Sequence, residues 1–308
     1  MRVKVSVIGA GNVGATVAEK LAQYNFCDIV LVDIIEGLPE GKALDINHSS
    51  YVLGIESKIT GSTDFSHIKN SEIVVITAGL PRKPGMTRED LINKNAQIVK
   101  DVVAKVKTLA PRSIIIMVTN PLDIMTYLAY KISGFPRNRV VGMSGMLDST
   151  RFSYYIAEKL GVSPTNITCL VLGTHGDTMV PLERYVSVGG IPLVELLSQE
   201  EIEKLKKQTI EAGTVVVNYL KAGSAYYAPG ACIAEMVEVI VFDKKKVLPA
   251  SAILEGEYNL DGVALGVPIV LGRNGVEKII QLKLTENEKQ KLINAANTIL
   301  AGIKVLNL

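Results

Sequence analysis

Through the first half of the chain, short apolar runs alternate with longer stretches in which apolar positions recur every three or four residues. The runs cover residues 2–8, 29–32, 58–61, 72–77, 113–118 and 140–143. Each is short and mostly β-branched, the pattern of a strand buried on both faces. The periodic stretches begin with Val17, Ala18, Leu21 and Ala22 on one helical face and continue at residues 40–51, 88–109, 124–132 and 148–160. Strands and helices in alternation predict an α/β fold, a doubly wound parallel sheet covered by helices on both sides. Such sheets collect their ligands at the carboxyl ends of the strands.

After Gly161 the pattern changes. Strand-like runs fall at 168–172, 185–188, 247–254 and 267–271, and long helical patterns at 199–220, 229–241 and 286–304. This predicts a second, α+β unit. No repeat, low-complexity tract or linker separates the halves, so they should share a wide interface.

The junction between the first run and the first helix carries chemistry. Gly9-Ala10-Gly11-Asn12-Val13-Gly14 follows a strand and opens a helix, and a second strand ends on Asp33, 19 residues past Gly14. Gly9 permits a tight turn, Gly11 lets the backbone approach a pyrophosphate, and Gly14 lets the helix pack on the strand. The helix N-terminus offers N–H groups and positive dipole to phosphates. Asp33 stands at the spacing of an acid that meets ribose hydroxyls, which predicts a dinucleotide site.

Composition removes several functions. Lys and Arg number 33 against 31 Asp and Glu, a net charge of +2, which gives no electrostatic case for nucleic acid or an anionic membrane. The Lys244-Lys245-Lys246 run reads as a solvated turn. No apolar run reaches the ~20 residues that span a bilayer. The first strand starts at the N-terminus, so a leader is not expected and a cytoplasmic location is. Cys27, Cys169 and Cys232 are odd in number, widely spaced and set in apolar surroundings, which predicts buried free thiols in a reducing compartment. His48, His67 and His175 lack ligand spacing, so no metal is expected.

Four further segments have two readings each. Residues 80–90 hold two prolines, Gly85, Arg82 and Arg88, with Thr87 and Asp90 spaced as a capping box. They form either a solvated connector or a mobile functional lid. Val118-Thr119-Asn120-Pro121 closes the fifth strand, where Asn120 is either part of a turn or a donor and acceptor for a ligand. Asp148 and Arg151 share a helical face, either as a local ion pair or with Arg151 free to grip a carboxylate. His175, between Thr174 and Gly176, is incidental or a proton-transfer group.

Taken in order, GAGNVG at Gly9, TNP at Thr119, LDSTRF at Leu147, GTHGDTMVP at Gly173 and GSAYYAPG at Gly223 make the chain resemble the lactate and malate dehydrogenase family of 2-hydroxyacid dehydrogenases. The resemblance runs over essentially the whole chain and is narrower to the lactate-dehydrogenase-like malate dehydrogenases. It implies a Rossmann NAD-binding domain over residues 1–145 and an α+β catalytic domain over 146–308. His175 then matches the acid/base, Asp148 the carboxylate that orients it, Arg151 the clamp on the substrate C1 carboxylate, and Arg88 the arginine that polarises the reacting carbonyl. Asn120 matches a residue touching substrate and nicotinamide. NAD contacts are implied at Gly9, Ala10, Gly11, Asn12, Val13, Gly14, Asp33, Asn95, Val118, Thr119 and Asn120.

Arg82 carries the substrate argument. Family members that reduce pyruvate usually have a neutral residue there, and malate dehydrogenases have arginine. A second carboxylate entering a closed site needs a cation. The resemblance places Ala225 in the segment that faces the substrate, where a small residue leaves room for a diacid. Oxidation of (S)-malate to oxaloacetate is thus expected, with lactate oxidation as the alternative. The resemblance also implies a homotetramer or homodimer with a small-molecule substrate. A non-catalytic NAD sensor or a purely structural oligomer has no use for His175, Asp148 and three arginines.

Overall fold

The structure is a computed structural model that describes residues 2–81, 85–221 and 223–306. Six strands, β1 (Val3–Ile8), β2 (Cys27–Val32), β3 (Ile59–Ser62), β4 (Ile73–Ile76), β5 (Ile114–Met117) and β6 (Val140–Gly142), run parallel in the order β3-β2-β1-β4-β5-β6. Val5 pairs with Ile29 on one side and Ile73 on the other, and all three are buried. The connecting helices are α1 (Asn12–Tyr24), α2 (Leu38–His48), α3 (Ser50–Leu53), α4 (Arg88–Leu109) and α5 (Leu122–Ser133). The strand order reverses between β1 and β4, which opens a ligand crevice at their carboxyl ends.

The second half contributes α6 (Gly145–Leu160), β7 (Ile167–Thr168), β8 (Val171–Gly173), β9 (Met179–Pro181), β10 (Ser187–Val188), β11 (Ile191–Pro192), α7 (Leu193–Leu196), α8 (Gln199–Leu220), α9 (Tyr227–Val241), β12 (Lys246–Glu255), β13 (Asp261–Gly272), β14 (Gly275–Ile279) and α10 (Glu286–Val305). The large sheet does not stop at the end of the parallel half. β12 joins β6 antiparallel through Ser251 and Gly142, and β13, β8 and β9 extend it further. A Cβ on Gly142 would lie 2.9 Å from the Ser251 Cβ, so this junction needs glycine. α9 also packs on α1, where Gly230 faces Thr16 closely.

Several expected boundaries are revised. The 168–172 run is two strands: β7 pairs with β10 in a small sheet, while β8 belongs to the large one. Residues 183–185 form a 3-10 turn, leaving only Ser187–Val188 as strand. The 267–271 run is the end of the much longer β13, paired with β12 along its length. The 40–51 helix starts at Leu38 with Pro39 in its first turn and ends at His48. α4 runs over 88–109 as expected, opened by the Thr87–Asp90 capping box. The three cysteines are buried free thiols, and Lys244 and Lys245 pair with Glu238 and Glu277 at the surface. Among the described residues no helix is long and apolar enough to cross a membrane.

Candidate active site

The β1–α1 turn is built by steric exclusion. Gly9 has φ 107°, and a Cβ there would lie 2.5 Å from the Thr77 hydroxyl. A Cβ on Gly14 would lie 1.8 Å from the Gly9 carbonyl oxygen. Among the described residues nothing lies within 4 Å of a Cβ on Gly11. Among the described residues no side chain caps α1. Its first N–H groups thus border a cradle that only a close-approaching group can enter. Asp33, at the tip of β2, accepts from the Ala10 N–H at 2.6 Å and the Ile35 N–H at 3.1 Å. Each carboxylate oxygen keeps a second acceptor site, which suits ribose hydroxyls. Turn, helix end and acid together fit a dinucleotide.

The ends of β4 and β5 lie beside this turn. Thr119 Oγ1 donates to the Ala78 carbonyl at 2.7 Å, and Asn120 is exposed just beyond. Asn95, buried on α4, reaches both strand ends through its carboxamide. Arg88 is exposed in the first turn of α4.

The second half supplies a charged triad. His175 follows β8, and its Nδ1 lies 2.9 Å from Asp148 Oδ2. Arg151, one helical turn past Asp148 on α6, donates from Nη1 to Oδ1 at 3.2 Å. Asp148 is 1% exposed, while the His175 and Arg151 side chains are each 16% exposed. Burial pulls the His175 pKa down. The Asp148 charge and hydrogen bond outweigh it, helped by Asp123 and opposed by Arg151, so the net shift is upward from 6.5. The imidazole is therefore a strong base for a buried group, with one nitrogen engaged and the other directed away from the carboxylate.

A strand-ended dinucleotide cradle and a buried His–Asp pair with an arginine beside it agree with what the chain is similar to. The family model for the lactate/malate dehydrogenase NAD-binding domain matches residues 3–142, and that for the alpha/beta C-terminal domain matches 145–306. The chain belongs to the lactate/malate dehydrogenase family. A malate dehydrogenase of Methanosarcina mazei is 49% identical over 306 residues, covering 99% of this chain and 100% of the relative. A solved malate dehydrogenase of Cryptosporidium parvum superposes with a TM-score of 0.97 at 41% identity, covering all of both chains. A lactate dehydrogenase of the same organism, solved with lactic acid and nicotinamide adenine dinucleotide, superposes at 0.96 with 42% identity, covering all of this chain and 98% of that one.

Within this lactate/malate dehydrogenase site, Asp123 is a residue the sequence reading missed. It is buried on α5, and its Oδ2 accepts the backbone N–H of His175 at 3.0 Å. Burial pushes its carboxyl up to about 6, against that bond and the nearby Ser251. Among the described residues Oδ1 finds no hydrogen bond of normal geometry, and neither do the buried hydroxyls of Ser144 and Ser251. An acid inside the otherwise apolar LDIMTYLAY segment was the available signal. The structure thus brings together His175, Asp148 and Arg151 in one cluster and the glycine turn with Asp33 in another. Arg82 lies outside the described residues.

Proposed function

We propose that the chain is an NAD-dependent malate dehydrogenase interconverting (S)-malate and oxaloacetate. The observation that carries the reading is the Asp148 carboxylate holding both His175 and Arg151. NAD, when bound, supplies the hydride acceptor. The Gly9–Gly14 turn and the α1 N-terminus would hold its pyrophosphate, with Ala10, Asn12 and Val13 along the approach. Asp33 holds the adenosine ribose, and its charge disfavours a 2′-phosphate, for which Ile34 and Ile35 offer no cation. Val118, Thr119 and Asn120 would hold the nicotinamide end.

In the oxidation direction His175 takes the substrate hydroxyl proton on its free ring nitrogen, and Asp148 stabilises the resulting imidazolium. Arg151 clamps the C1 carboxylate with its planar fork. Arg88 stabilises negative charge on the reacting oxygen, and Arg82 pairs with the distal carboxylate. The malate dehydrogenases among the relatives favour this diacid over lactate. We also propose a homotetramer or dimer, working in the cytoplasm in the tricarboxylic acid cycle. Three buried free thiols suit a reducing compartment.

The test is NADH oxidation with oxaloacetate and pyruvate side by side, in wild type and Arg82→Gln. Wild type should prefer oxaloacetate, and the variant should lower the oxaloacetate-to-pyruvate ratio of kcat/KM by at least ~10³, because each mismatch buries an unpaired charge. Faster turnover of pyruvate by wild type would make the chain a lactate dehydrogenase. A shift in the ratio below roughly tenfold would remove Arg82 from the distal-carboxylate role.

A further inference from the structure

Asn95 matches a cofactor contact by resemblance, but its polar atoms are committed elsewhere. Its side chain is 1% exposed. Oδ1 accepts the Leu80 N–H at 2.8 Å, and Nδ2 donates to the Leu80 carbonyl at 3.1 Å and the Asn120 carbonyl at 2.6 Å. The carboxamide thus grips Leu80 on both backbone groups, as a neighbouring strand does, and spends both amide hydrogens. A cofactor contact from Nδ2 would break one of these bonds. The surroundings are tight. A Cβ on Gly79 would lie 2.4 Å from the Thr119 methyl and 3.4 Å from Asn95 Oδ1. Asn95 stands seven residues after Arg88 on α4, two turns along the same face. One side chain therefore ties the α4 N-terminal half to the ends of β4 and β5.

We propose that Asn95 is a positioning residue, which fixes the backbone at Leu80 and Asn120 and so aims Asn120 and Arg88 at the substrate. Its influence on the reaction passes through those residues. A buried carbonyl left without its donor costs stability, but a shifted Asn120 costs turnover, and the two can be separated.

The experiment uses full-length Asn95→Ala and Asn95→Asp. Three quantities are measured: kcat/KM for oxaloacetate, Kd for NADH by fluorescence titration, and hydrogen exchange at Leu80. In Asn95→Ala, kcat/KM should fall about 10²-fold, the scale of a misplacement of about 1 Å. Kd for NADH should stay within about threefold. Asn95→Asp keeps an acceptor for the Leu80 N–H but turns a carboxylate on two carbonyls. Its activity relative to wild type should rise as pH falls and the acid gains a proton to donate, while the Asn95→Ala ratio stays flat. A loss of NADH affinity matching the loss of kcat/KM would make Asn95 a cofactor contact and overturn the proposal. So would unchanged kcat/KM with only a lower Tm, or a flat Asn95→Asp ratio. The kinetic arm rests on the oxaloacetate reading and the exchange arm does not. Should wild type fail to turn over oxaloacetate, faster exchange at Leu80 in Asn95→Ala still supports the grip, and unchanged exchange overturns it.

Discussion

Asp148 is shared between a base and a cation, and this fixes the pH behaviour of the site. Burial alone would lower the proton affinity of His175, and the carboxylate turns the net shift upward. On the acid role proposed for His175, reduction of oxaloacetate needs the protonated imidazole, so its kcat/KM should fall as pH rises through a value above 6.5. Asp148→Asn removes the raising charge while burial remains, so that limb should move below 6.5. A profile of kcat/KM from acid to alkaline pH checks this, and an unmoved limb would mean that Asp148 does not set the proton affinity. The same raised pKa contributes stability that is complete below 6.5 and lost as pH climbs through the folded-state value. His175, Asp148 and Arg151 each had two readings from their local neighbours, and the ordered motifs of the resemblance chose between them. Asp123 was not. Its partner is a backbone N–H 52 residues away, and a peptide group leaves no mark in sequence.

Among the elements, those governed by local rules were legible. α4 announces both ends, with a capping box at Thr87 and an apolar stripe through Val99, Val103 and Val106. β7 and β8 were not resolved as two, because they share one apolar run and differ only in which distant strand receives their hydrogen bonds. The β1–α1 turn makes two glycines separable by experiment. Gly14→Ala drives a Cβ into the Gly9 carbonyl, so Tm should drop and NADH binding weaken by at least ~10-fold. Gly11 has φ −66° and open space around it, so Gly11→Ala should fold with an unchanged Tm yet bind NADH as weakly. Thermal melts with NADH titrations check the pair, and full affinity in Gly11→Ala would move the pyrophosphate elsewhere.

On the scale of the whole molecule, the proposed oligomer can be tested at the surface. Ile34, Ile35, Leu44, Tyr51, Val52 and Leu53 are all at least half exposed, with Tyr51 at 98%. Apolar surface along one stretch of chain is what the proposed dimer or tetramer would cover. Sedimentation velocity should give a dimer or tetramer for wild type and a smaller species for Tyr51→Glu with Val52→Asp. A wild-type monomer would end that reading. The parallel half was legible from its alternation, but its continuation into the second half was not, since a single residue pair, Gly142 with Ser251, makes the junction. That junction has a consequence during synthesis. β6 can form as soon as residue 142 has left the ribosome, yet the strand that covers its outer side is made only when residues 246–255 emerge. For that interval the nascent chain carries an uncovered strand edge, the kind that recruits neighbouring chains on a polysome. With only three residues in β6, the edge offers a stranger too few peptide groups to hold.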